Sequence, residues 1–372
     1  MSWLTARDDF GSCDYGRVNR TIDFSALTNT VSPDQVRAFK ATAKQRGWGV
    51  VSTAQAVIGT FISIFVVGIG GTIGLIFVIL GALTFSENPN PVSFGALALP
   101  AIFVLLFLSV GTYFLVRFFG LRRWEGWHRL DTFATSNGLV FSPRDAAPAY
   151  PGAIFNHGHS RAALNHIRSA EGRFLDFGNY RYVVGSGDDS RTYNWGFLAF
   201  KLDRSLPHIV LDATSNNGLL GGTNLPAFFK KEQKLSLEGD FDKHFTLYCP
   251  KGYERDALYI FTPDLMALLI DEASPFDVEI VDDWMFVYSA STFTTAKPEV
   301  YRRLFRIIET VGAKTLSQTE RYADERIGDR TINLVAPQGQ RLKRGIPVGA
   351  VIVTSLVVVL WGWGFVSDLV AY

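Results

Sequence analysis

Apolar residues are distributed along this chain in two ways. Three long stretches are apolar without interruption, whereas elsewhere apolar and polar residues alternate at helix or strand periods. The uninterrupted stretches are 57–83 (VIGTFISIFVVGIGGTIGLIFVILGAL), 94–116 (FGALALPAIFVLLFLSVGTYFLV) and 345–365 (GIPVGAVIVTSLVVVLWGWGF). A helix needs about 20 apolar residues to cross a bilayer core of about 30 Å, so each stretch predicts a transmembrane helix. No charged residue lies between Arg46 and Glu87, between Glu87 and Arg117, or between Arg344 and Asp368.

Lys and Arg in the flanks set an orientation. Arg37, Lys40, Lys44 and Arg46 precede the first stretch, Arg117, Arg122 and Arg123 follow the second, and Arg341, Lys343 and Arg344 precede the third. The connection TFSENPNPVS and the C-terminal tail have neither residue type. This pattern predicts a multi-pass protein of the cell membrane, with the N-terminus and residues 120–344 cytoplasmic and the C-terminus outside. Trp48, Trp124 and Trp127 fall at the expected inner surface and Trp361 toward the outer one. The opening MSWLTARDDFGSCDYG lacks the apolar core of a cleavable signal, so the first stretch reads as its own insertion signal. GIGGTIG has the wrong glycine spacing for a dinucleotide loop and lies inside an apolar stretch. Gly70 and Gly74 form instead a GxxxG face for close helix packing, against the second or third stretch or in a homo-oligomer.

Four segments follow: a cytoplasmic N-terminal segment at 1–49, a transmembrane hairpin at 50–119, a cytosolic domain at 120–344, and a third span with a short outside tail at 345–372. Residues 1–31 show no strong periodicity and read as loosely ordered. Ser32, Pro33 and Asp34 open a short basic amphipathic helix that leads to Trp48 and can lie on an anionic leaflet or in solvent. WEGWHRLDTFATSN reads as a helix closed by Gly138. Strand patterns follow at RFLDFGNYRYVVG, TYNWGFLAFKLD, HIVLDA, KHFTLYC and TINLVA. VEIVDDWMFVYS reads as hairpin-like around Asp282–Asp283. Helices start at Thr262–Pro263 and at KPEVYRRLFRIIETV with Gly312 as its stop, and a capping box joins Ser317 to Glu320. Strands grouped with a few separate helices predict an α+β domain with a mainly antiparallel sheet.

Composition narrows the function classes. Residues 120–344 carry 28 basic and 28 acidic residues, so the basic excess of a nucleic-acid binder is absent. Cys13 and Cys249 form no CxxC pair, which gives neither a zinc signature nor a disulfide framework.

Candidate chemistry is sparse. His157 and His159 have the i, i+2 spacing of a chelating strand, with His166 beyond them, but the Gly and Asn around them favour a loop. Cys249 and His244, five apart on one predicted strand, point to opposite faces and make no local dyad. Asp188–Asp189 and Asp282–Asp283 could hold a cation or do acid/base work, yet both fall where turns are expected. The loop SNNGLLGGTNLPAFFKK (215–231) is long and Gly- and Asn-rich, and is the best remaining binding candidate, although it lacks a P-loop ending. The sequence therefore names no catalytic, cofactor-binding or metal residue.

LSLEGDFDKHFTLYCP, DALYIFTPDLMALLIDEA and WMFVYSAS, with Phe241, Phe245, Thr262, Pro263, Leu265 and Met266, resemble the soluble domain of an uncharacterised bacterial, actinobacterial-type integral membrane family. The resemblance covers roughly residues 120–310 and implies a domain of unknown function after a paired membrane span. The sequence as a whole predicts a non-enzymatic, membrane-anchored adaptor, sensor or assembly module whose partner is the lipid bilayer. The alternatives are a membrane-bound hydrolase or ligand-binding enzyme using the histidines or aspartate pairs, and a transporter or channel subunit.

Overall fold

The computed structural model describes residues 22–49, 71–87, 100–111, 121–146, 148–217, 222–329 and 331–345, with residues 68, 98, 113 and 355 besides. The chain forms two compact units. One holds the described residues up to Thr28 and from Leu130 onward, and the other spans Asn29–Arg129.

The first unit is built on a seven-stranded sheet, antiparallel throughout: β1 Leu139–Ala146, β2 His159–Ser169, β3 Leu175–Val184, β4 Arg191–Ala213, β5 Lys234–Leu235, β6 Phe245–Tyr248 and β7 Asp277–Ser289. The 23-residue β4 organises it. Its first half lies between β3 and β7, with Phe197 opposite Gly178 and Tyr288, and its second half lies between β6 and β7, with Val210 opposite Tyr248 and Glu279.

Several sequence expectations change here for local reasons. The strands read separately at 192–203 and 208–213 are one strand, because Pro207, which has no N–H to give, sits where the register slips between Lys201 and Ile209. Opposite that slip Asp282 takes φ 55°, so Asp282–Asp283 kink a continuous β7 instead of turning a hairpin. Asp282 accepts a fork from Arg341 at 2.7 and 2.8 Å, and Asp283 pairs with Lys201 at 2.5 Å. The histidine-rich stretch taken as a loop becomes strand β2 from His159 onward. Ser160 and Asn165 have positive φ at its two register shifts, and these extra residues break the alternation that would have shown a strand. TINLVA contributes no strand; Asn333 instead accepts from the Ser205 N–H at 2.8 Å.

One sheet face buries Tyr150, Phe155, Tyr180, Phe197, Phe286 and Tyr288, with Phe155 T-shaped on Phe197 at 5.3 Å. Elsewhere in the unit Phe177 meets Phe305 of the helix Pro298–Ile307 at 5.5 Å. That helix does not stop at Gly312. It runs through a π-turn, Ile308–Gly312, into Ala313–Thr319. Gly312 has φ −61°, ordinary for a helix, and a Cβ there would lie 3.2 Å from the Phe200 ring, so the glycine serves close packing. Ser317 consequently lies inside this helix and opens none. Part of the segment expected to be loose is also docked: Phe24 stacks on Phe133 at 5.6 Å beneath the Arg302 guanidinium at 5.4 Å.

In the second unit the helix Pro33–Gln45 has the full capping box of Ser32 and Gln35. Val36 and Ala43 pack with Trp124, and Lys40 lies 5.6 Å from the Trp124 ring centre. Arg123 lies 4.7 Å from the centre of Trp127 and Arg46 5.2 Å from that of Trp48. The basic and aromatic residues expected at a bilayer surface therefore contact one another. A Cβ on Gly74 would lie 2.5 Å from Val104 Cγ2, so the space at this glycine is filled from within the chain. Gly70 lies outside the described residues.

The expectation of three transmembrane helices needs correction. Among the described residues no helix is long and apolar enough to cross a membrane. The described part of the first apolar stretch forms the helix Gly71–Glu87. The fold class shown is a seven-stranded antiparallel sheet with helices. The membrane assignment and the cytoplasmic and outside placements derived from it are withdrawn with the spans. Most of 57–70, 94–99 and 346–365 lies outside the described residues.

Candidate functional site

Alternating strands place polar side chains on the same buried face at every second residue. In β4 and β7 this brings His208, Asp212, Asp277 and Glu279 together inside the sheet unit, all buried. Four polar networks stand out among the described residues of this unit: one leaves His166 Nε2 without a hydrogen bond, two are closed and the fourth is open.

In the first, the Tyr150 hydroxyl donates to Asp176 Oδ2 at 2.5 Å and His166 Nδ1 meets Asp176 Oδ1 at 2.9 Å. Asp145 Oδ2 lies 3.3 Å from His166 Nε2 and 3.0 Å from Arg168. Burial, then the Asp176 charge, drives the Tyr150 hydroxyl far above its usual range, so it remains a donor. Gly178 lies directly behind His166, where a Cβ would come within 2.4 Å of the His166 Cα.

The second network centres on Glu279. Its Oε1 meets His208 Nε2 at 2.8 Å, and its Oε2 accepts from the Tyr288 hydroxyl at 2.6 Å and the Ala153 N–H at 2.7 Å. His208 Nδ1 accepts from the Leu342 N–H at 3.0 Å, tying the end of the domain to β4.

In the third, Asp324 accepts from the Tyr253 hydroxyl at 2.6 Å, the Ala336 N–H at 2.9 Å and Arg326 at 3.0 Å. Burial alone would raise this carboxyl, but these hydrogen bonds together hold it below its ordinary value. Arg326 also reaches Asp256 at 3.1 Å and lies 3.8 Å from the centre of the Tyr253 ring.

The fourth network is open. Asp212 and Asp277 stand one step beyond the registered pair Leu211–Val278, directly across from each other in the β4–β7 ladder. Asp277 is fully buried, and its Oδ1 accepts from the Ala213 N–H at 2.8 Å. Its Oδ2 has no hydrogen-bond partner. Asp212 accepts from Thr223 Oγ1 at 2.9 Å. Burial raises both carboxyls, Asp277 to about 7, and the Asp212 charge adds to the rise at Asp277. The Asn216 and Asn217 amides lie beside Asp277 and Asp212 respectively and partly offset it. Both belong to the loop read as the best binding candidate.

The other candidates do not converge. His159 is exposed, with Nε2 2.9 Å from the Gly185 carbonyl oxygen, while His166 is locked to Asp176. His157 is partly buried beside Tyr182, and burial lowers its pKa. His244 ends a helical turn, Phe241–His244, and is not on a strand with Cys249. The Cys249 thiol is buried and pushed up to about 12, first by burial and then by Glu254 and Asp256, which suppresses the reactive thiolate. Asp188 and Asp189 lie exposed on a turn. Among the described residues no group of three His, Cys, Asp or Glu could hold a metal ion. Sequence reasoning missed His208, Asp212, Asp277 and Glu279. Their signal was present as polar residues at even spacing, four apart in HIVLDA and two apart in DVEI.

No protein-family model matches the chain, and no curated protein matches it. Among solved structures, the chain is similar to the crystal structure of the mycobacterial trehalose monomycolate transport factor A, TtfA, at 12% identity. The match covers 50% of this chain and 94% of that one, with a TM-score of 0.33. A similarity of that size transfers neither fold nor function.

Proposed function

We propose that the sheet unit is a non-enzymatic adaptor, sensor or assembly module. The observation that supports this is the fate of its buried acids and histidines. His166, Asp176, His208, Glu279 and Asp324 are each consumed by bonds that tie distant chain segments together. A catalytic set needs a nucleophile, a base and an orienting group around one accessible point. The sequence candidates for those roles are dispersed, and burial keeps the Cys249 thiol protonated.

Genetic complementation tests the reading. A full chain carrying His157→Ala, His159→Ala and Cys249→Ser together should still fold and restore whatever defect deletion of the gene causes in its source organism. Loss of complementation by a variant that still folds would overturn the proposal in favour of an enzyme using those groups.

A further inference from the structure

The open network calls for something positive. Asp212 and Asp277 are like charges directly opposed across two strands, an arrangement that destabilises a sheet even at its surface and more so when buried. Neither carboxylate has a Lys or Arg ion-pair partner among the described residues, and the Lys234 charge, which Asp212 feels, only partly offsets burial. The surrounding oxygens are short of donors as well. Asp277 Oδ2 and the side-chain oxygens of Asn216, Asn217 and Asn224 are all buried, and none has a hydrogen-bond partner. Buried polar atoms are almost always paired, so four orphan acceptors within one strand end and the loop that covers it require a cause.

The loop is tied to the acid pair by its own bonds. Thr223 Oγ1 donates to Asp212, Asn224 Nδ2 donates to the Asn216 carbonyl at 3.4 Å, and Ser215 Oγ holds the Ser274 carbonyl at 2.8 Å, three residues before Asp277. A shared proton would neutralise one carboxyl and satisfy one acceptor, leaving three. A cation satisfies several at once. Half a turn of a terminal amide exchanges its nitrogen and oxygen, so an asparagine that turns NH₂ toward a bare carboxylate can turn oxygen toward a bound cation.

We propose that Asp212, Asp277, Asn216, Asn217 and Asn224 form a binding site for a hard divalent cation, with Ca²⁺ the best match. Two carboxylates with neutral amide oxygens suit the six to eight oxygen ligands and loose geometry of Ca²⁺. Mg²⁺ demands a tighter octahedron, and zinc or iron would seek the His or Cys ligands that this site lacks. The site is independent of whether the unit is an adaptor or an enzyme.

The test uses the full chain stripped with EGTA, then titrated with CaCl₂ and, separately, with Tb³⁺. Tyr248 lies opposite Val210 and feels the Asp212 charge, which places it to sensitise terbium luminescence. One Ca²⁺ per chain is expected, with a rise in melting temperature and a tyrosine-sensitised terbium signal that Ca²⁺ displaces. Asp277→Asn should weaken binding by at least about tenfold. Should that variant misfold, Asn217→Ala and Asn224→Ala at the loop should still weaken binding in chains that circular dichroism shows to be folded. Absence of Ca²⁺ binding to the parent chain, or full binding by the asparagine variants, overturns the proposal. An Asp277→Asn chain that melts higher than a calcium-insensitive parent would identify a shared proton instead, and overturn it equally.

Discussion

Glu279 and Asp277 stand two residues apart on one face of β7, both fully buried, and their surroundings could hardly differ more. Glu279 has a donor for each oxygen: His208 on one, and Tyr288 with the Ala153 N–H on the other. Asp277 has a donor for one oxygen only and faces a second carboxylate. Burial is equal, so the difference lies in partners. The first carboxylate binds its own fold together, and the second leaves capacity for something else. A buried acid is thus evidence of a site only when its satisfaction is incomplete.

The largest expected effect tests the closed side of this contrast. Glu279→Ala leaves His208, the Tyr288 hydroxyl and the Ala153 N–H without their acceptor in the core. Removing one partner of a buried charged network costs about 3–5 kcal/mol. Urea unfolding of the full chain should show a loss in that range with an unchanged m-value. A loss below about 1 kcal/mol would mean that the network contributes little and that the two acids are not different in kind.

A smaller loss is expected from Tyr288→Phe, which removes one of three donors and leaves the ring stacked on Phe286 at 5.9 Å. Glu279 keeps His208 and the Ala153 N–H, so the cost should be that of a single hydrogen bond to a charged group, about 1.5–3 kcal/mol. Measuring this variant together with His208→Asn would show by non-additivity whether the donors act as one network.

How far the sequence foretold this arrangement depends on the range of the interactions involved. The helix Pro33–Gln45 was legible because Ser32, Pro33 and Asp34 mark its start within three residues. Strand β3 was legible from its strand-forming run, and the antiparallel character of the sheet from strands grouped apart from a few helices. β2 was hidden by its two bulges, and β4 was divided by Pro207, since irregularities erase the alternation that marks a strand. Gly312 was misread because a glycine that admits the Phe200 ring and one that ends a helix look alike in sequence. The apolar stretches were read by length, and among the described residues no helix is long and apolar enough to cross a membrane. The acid pair was invisible for another reason: Asp212 and Asp277 are 65 positions apart and meet only through the register of β4 with β7. The loop at 215–231 was noticed for its composition, but what it covers could be read only from the fold.

The smallest expected effect has the opposite sign. Asp277→Asn preserves an oxygen for the Ala213 N–H and removes one of two opposed charges. In calcium-free buffer near neutral pH the variant should be more stable than the parent by about 1 kcal/mol, the upper end of the range for a directly opposed cross-strand pair. Added Ca²⁺ should stabilise the parent in proportion to the logarithm of its concentration above the dissociation constant, and stabilise the variant less at the same concentration. The two unfolding curves should therefore change order between EGTA and CaCl₂. Glu279→Gln gives the control, because it should destabilise in both buffers by a similar amount. If Asp277→Asn instead loses several kcal/mol in each buffer, Asp277 is as fully used by its own fold as Glu279, and the contrast between the two carboxylates does not hold.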